Sequence, residues 1–237
     1  MRYAVLLIVG LMTLNCWAQE GRFNAELDGL ASRRDLNELI MRVNQPRNAD
    51  EYRQGLDWLR AKTLTGFGGS RIFYSYAFGL FRTNAPSVRD TATFAYLVGL
   101  LLGRVDAARC ADSSAPADKL GRWEQNLAPI RQHFASLQLD EREKLVSMAV
   151  AVEEKFSNRP QDEWLCSGGL SFMHKFAEKH KDNPTPPARE IQDETRVGRT
   201  ILLDDPDIKP AFVSNDEWTA RRKQIVSKFI EQQPLVK

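Results

Sequence analysis

The sequence predicts an all-α protein, an irregular multi-helix bundle or short solenoid-like array of about seven to nine helices, with a proline-rich irregular segment before the last. Three observations carry this expectation. Apolar residues recur at three- and four-residue steps through nearly every segment up to residue 181. The stretch ATFAYLVGLLLG, residues 92–103, is apolar almost all round, as suits a helix surrounded by others. After His180 the periodicity ends: KDNPTPPARE, residues 181–190, holds three prolines and no apolar repeat.

In chain order, Leu27, Leu30, Leu36, Leu39, Ile40 and Val43 have helical spacing, with a break expected near Ser32 to Asp35 and a stop at Gln45-Pro46. Asp50 to about Lys62 predicts a second helix, with Tyr52, Leu56 and Leu59 on one face. Thr65-Gly66-Phe67-Gly68-Gly69 reads as a tight helix–helix connection, and Ser70 as the cap of an aromatic helix, RIFYSYAFGLFR, residues 71–82. The central helix is expected from Pro86 to Ala111. Its apolar part is shorter than the roughly 20 residues a bilayer span requires, so no transmembrane segment is expected. ADSSAPAD, residues 111–118, is a turn-rich loop, and Pro129 predicts a kink or a split in the helix that follows. Asp140 and Glu143 have capping-box spacing ahead of Leu145, Met148, Val152 and Phe156. Short helices are expected from Gln161 and over Leu170 to Lys181, a short extended piece at Thr200 to Leu203, and a final helix from Ser214-Asn215.

The start of the chain has the layout of a secretory signal peptide: Arg2, an apolar core from Ala4 to Leu14, and Cys16-Trp17-Ala18 before polar Gln19. A lipoprotein signal would need an apolar residue at Thr13 and a small one at Asn15, and neither fits. The expected organisation is a cleaved signal at 1–18, an α-helical domain at 19–181, a proline-rich connection at 182–213 and a C-terminal amphipathic helix at 214–237. A periplasmic or secreted location follows from that reading. Removal of the signal leaves Cys110 and Cys166, which an oxidising compartment would join in one disulfide.

The formal net charge of +2, with interspersed signs, gives no global attraction for nucleic acid. His133, His174 and His180 lack the close Cys/His pairing of a zinc site, and no metal or cofactor is expected. Glu153-Glu154, Asp162-Glu163 and the cluster Asp204, Asp205, Asp207 are adjacent acids that read as solvated faces and helix starts. LLDDPD lacks the ligand alternation and glycine of a calcium loop. Ser167-Gly168-Gly169 lacks the preceding glycine of a nucleophile elbow, and Gly66-Phe67-Gly68-Gly69 lacks the lysine of a phosphate loop. No catalytic residue is assigned.

The helix–turn–helix rhythm is shared with tetratricopeptide-type solenoids in architecture only, because their repeat signature does not align twice here. The candidate contact surfaces are the aromatic helix, through Phe73, Tyr74 and Tyr76 with both tyrosines at the rim, and the C-terminal helix, through Trp218 and Arg222. The functional expectation is a soluble exported protein that binds a protein partner in the cell envelope. Two alternatives are a cell-wall polymer hydrolase using carboxylates from different helices and a carrier of a small apolar ligand.

Overall fold

A computed structural model describes residues 22–183, 188–191, 200–203 and 205–235. The expected signal peptide, Asp204 and the prolines of KDNPTPPARE lie outside the described residues. The fold is all-α, with one two-stranded ribbon. The helices are α1 (22–32), α2 (Leu36–Asn44), α3 (Ala49–Thr65), α4 (Gly69–Arg82), α5 (Arg89–Ala107), α6 (Ser114–Asn126), α7 (Ala128–Ser136), α8 (Leu139–Lys155), α9 (Glu163–Cys166), α10 (Gly169–Lys179) and α11 (Asn215–Gln232). The ribbon pairs β1 (Ala188–Ile191) with β2 (Thr200–Leu203), antiparallel, with Ala188 opposite Leu203 and Ile191 opposite Thr200. No described helix is long and apolar enough to cross a membrane.

The helices outnumber the expected seven to nine because both suspected interruptions are true ends. Arg34 takes a left-handed φ of 58° between α1 and α2, and Pro129 sits in the first turn of α7 rather than kinking one long helix. The capping box falls two residues earlier than Asp140: the Gln138 N–H donates to the Glu141 carboxylate at 3.0 Å and starts α8 at Leu139. β1 is a further correction, since Ala188 to Glu190 had no strand signal.

The residues gather into two compact units. The first comprises the described residues up to Gly103, Leu127–Arg159 and those from Lys228; the second comprises Arg104–Asn126 and the described residues between Pro160 and Ser227. α5 and α11 contribute residues to both.

The first unit is built on apolar burial. Leu27, Leu39, Leu59, Ile72, Leu97 and Leu101 are fully buried or nearly so, and each such side chain contributes about 1.5–3 kcal/mol relative to exposure. Close packing of α4 depends on two glycines. A Cβ on Gly79 would lie 2.6 Å from Leu56, and one on Gly99 would lie 3.2 Å from the Tyr74 ring. The connection between α3 and α4 turns through left-handed Gly66, Gly68 and Gly69, so Gly68 rather than Ser70 starts α4. Charged groups buried here are paired. Glu51 meets Arg42 at 2.8 Å and Arg47 at 2.9 Å, while Glu153 meets Arg159, which also donates to the Phe156 and Leu102 carbonyls.

The second unit buries far fewer apolar side chains. Among the described residues these are Val105, Cys110, Ala115, Pro116, Leu165, Cys166 and Phe176. Its order comes from staples. Cys110 and Cys166 are at disulfide-bonding distance, with sulfurs 2.05 Å and Cα atoms 5.0 Å apart. Residues 211–213 run antiparallel to 109–111, just past the end of α5, with Ala111 N–H donating to Ala211 O and Val213 N–H to Arg109 O, both at 2.9 Å. In α11, the Trp218 indole donates to Val105 O at 3.2 Å, and Arg221 donates to Ala108 O at 3.2 Å. These two bonds satisfy carbonyls that the end of α5 leaves unpaired.

Candidate binding surface and cleft on α10

The stretch 162–176, DEWLCSGGLSFMHKF, folds as the single turn α9 and the start of α10. Asp162 caps α9 by accepting from the Trp164 N–H at 3.2 Å. Gly168 and Gly169 then take φ of 78° and 77°, which an L side chain rarely adopts. Gly169 is needed for a second reason. A Cβ there would lie 2.7 Å from the Asp112 carboxylate and 2.8 Å from the Ala115 nitrogen.

That close approach lets the Asp112–Ser114 turn cap α10. The Ser171 N–H donates to Asp112 at 2.7 Å and the Leu170 N–H to the Ser114 hydroxyl at 2.9 Å; Ser114 also donates to Asp112 through its hydroxyl at 2.6 Å and its N–H at 2.9 Å. A carboxylate and a hydroxyl thus each meet one N–H group that the first turn leaves open. The Ser114 hydroxyl, and next the Ser171 N–H, hold the Asp112 carboxyl down at about 2. Lys119 closes the other side by donating to the Trp164 carbonyl and, at 2.5 Å, to the Ser167 carbonyl. The Trp123 and Trp164 rings stack with centroids 5.6 Å apart.

The far end of α10 is fixed by Asp205, which accepts from Lys179 at 2.9 Å, His180 Nε2 at 2.8 Å and the Asp207 N–H at 3.0 Å. Lys179, then His180, holds its carboxyl at about 2. Asp205 is therefore buried and paired rather than part of a solvated acidic face, and His180 is half-buried against Phe176.

With both ends fastened, α10 presents an apolar stripe to solvent. Leu170 is 69 % exposed, Met173 54 %, and Ala177 is exposed beside them, at the three- and four-residue steps of one helical face. On its other flank, a cleft of about 140 Å³ is lined by Ser171, Phe172 and Lys175 from α10, and by Asp112, Cys166, Gly168 and 208–211.

The sequence-predicted contact residues fare differently. Phe73 and Tyr74 are 4 % and 3 % exposed, so neither offers a surface, and Tyr74 is a core residue rather than a rim residue because Gly99 leaves room for its ring. Tyr76 is half-buried against the core of the first unit. Trp218 docks within its own unit, its ring 3.8 Å from the Arg109 guanidinium, and Arg222 is half-buried. Phe73, Tyr74 and Tyr76 belong to the first unit, and Trp218 and Arg222 to the second. Leu170, Met173, Lys175 and Lys209 were missed. The only sequence signal for the first two was apolar spacing on a short helix that looked like ordinary packing.

Asp112 and Asp205, the carboxylates at the two ends of α10, are both held at about 2 by the groups that donate to them. Among the described residues, no cluster of three or more His, Cys, Asp or Glu side chains is placed to hold a metal ion. No protein-family model, no curated protein and no solved structure matches the chain.

Proposed function

We propose that this is an exported, periplasmic or secreted helical protein that acts by binding a protein partner of the cell envelope, and that the outer face of α10 makes the contact. The carrying observation is the exposed Leu170–Met173–Ala177 stripe on a helix fastened at both ends. An apolar face held in place before binding loses little entropy on association. The signal-like start of the chain and the paired Cys110 and Cys166 support an oxidising compartment.

The test is site-specific photo-crosslinking from position 173 in cells, compared with a probe at Met148, which is 43 % exposed on α8 in the first unit. A discrete adduct from position 173 that is missing from 148 and lost in L170D is the expected result. Identical adducts from both positions, or none from 173, would remove the reading.

A further inference from the structure

We propose that the cleft beside Cys166 binds a small monocarboxylate carrying a short apolar arm. The proposal goes beyond the partner reading and does not depend on it. Lys175 and Lys209 line the cleft, and neither ammonium meets an acid among the described residues. Two other lysines of the unit are engaged, Lys119 with the Trp164 and Ser167 carbonyls and Lys179 with Asp205 and Asp207, and neither lines the cleft. The one carboxylate in the lining, Asp112, is turned to Ser114 and Ser171. Two ammoniums and one carboxylate leave a single positive charge, which a monoanion cancels and a dianion would overfill.

The rest of the lining selects the arm. Phe172, Ile208, Pro210 and Ala211 provide apolar wall, while the Leu170 and Ser171 N–H groups are already taken by Ser114 and Asp112. A phosphate would find no open amide cradle there. The volume of about 140 Å³ is close to the ~150 Å³ of an apolar cavity that takes benzene, so the ligand is a short acid and not a lipid. Two sources share this chemistry: a free short-chain organic acid, and the C-terminal carboxylate of a peptide ending in a small apolar residue.

The experiment uses the oxidised chain 19–237 and follows its amide NMR spectrum. Butanoate, butan-1-ol, the peptide Ala-Gly-Val with a free C-terminus and the same peptide amidated are titrated in turn. Binding of an acid with Kd of about 1 mM is expected, with shifts at Ser171, Phe172, Lys175 and Lys209. The alcohol and the amide should leave those signals in place. In K175M/K209M, whose unchanged distant signals report an intact fold, affinity should fall about tenfold or more. Tighter binding of the peptide acid than of butanoate identifies the peptide source; the reverse identifies the free acid. The proposal is overturned if neither acid shifts these signals, if alcohol and acid act alike, or if K175M/K209M binds undiminished.

Discussion

The first unit and the second solve the same folding problem by different means. In the first, Leu27, Leu59, Ile72, Leu97 and Leu101 form a core, and glycines 79 and 99 let helices approach closely. In the second, seven described apolar residues are buried, and the order of α9 and α10 rests on a disulfide, the Asp112 cap, the Lys119 bridge and the Asp205 pairings. A unit with little apolar core needs such staples. It also leaves Leu170 and Met173 in solvent. The first unit also exposes large apolar side chains, Met41, Leu64, Leu139, Met148, Ile230 and Leu235 among the described residues, so what sets α10 apart is that Leu170 and Met173 share one face of a helix fastened at both ends.

The sharpest way to break this contrast is to remove the covalent staple. In C110S/C166S the second unit should lose about 4 kcal/mol, the chain-entropy cost of a loop whose ends are 56 positions apart. Denaturant unfolding followed by the two regions' separate NMR signals would check it. Cutting the other kind of support should affect the other unit. Leu101→Ala leaves a cavity and should cost about 3 kcal/mol in the signals of the first unit. Asp112→Ala is a smaller perturbation, about 1 kcal/mol by analogy with cap removal, read by the same unfolding experiment at α10.

Acid provides a graded version of the same comparison. Asp112 and Asp205 are both lowered from an ordinary value of 3.8 to about 2. Their contribution is thus fully present above about pH 4 and is lost as pH falls toward 2. Hydrogen exchange across that window should show α10 loosening, and D205N together with D112N should flatten the response. The smallest expected effect is on stability in L170D/M173D, within about 0.5 kcal/mol because both side chains already face water, although partner adducts should vanish.

The sequence made helices easy to see and staples hard to see. ATFAYLVGLLLG reads as buried because nearly every position is apolar, and its residues from Ala95 to Leu102 are buried around Gly99. Pairing Cys110 with Cys166 required only a count of two and a compartment. Tyr74 misled because a tyrosine tolerates either core or rim, and what decides is Gly99, a quarter of a hundred positions away and visible only in three dimensions. Asp205 misled for the opposite reason. Acids are common in this chain, and no local pattern marks the one that meets Lys179 and His180. Asp112 and Ser114 looked like turn residues, which they are, but their partners lie 56 to 59 positions on.

Hydrogen exchange on the purified chain 19–237, before and after reduction of the disulfide, tests the central contrast most directly. The account predicts that reduction strips protection from α6, α9 and α10 while α1 to α4 and α7 keep theirs. Equal loss in both units, or no loss in either, would contradict it.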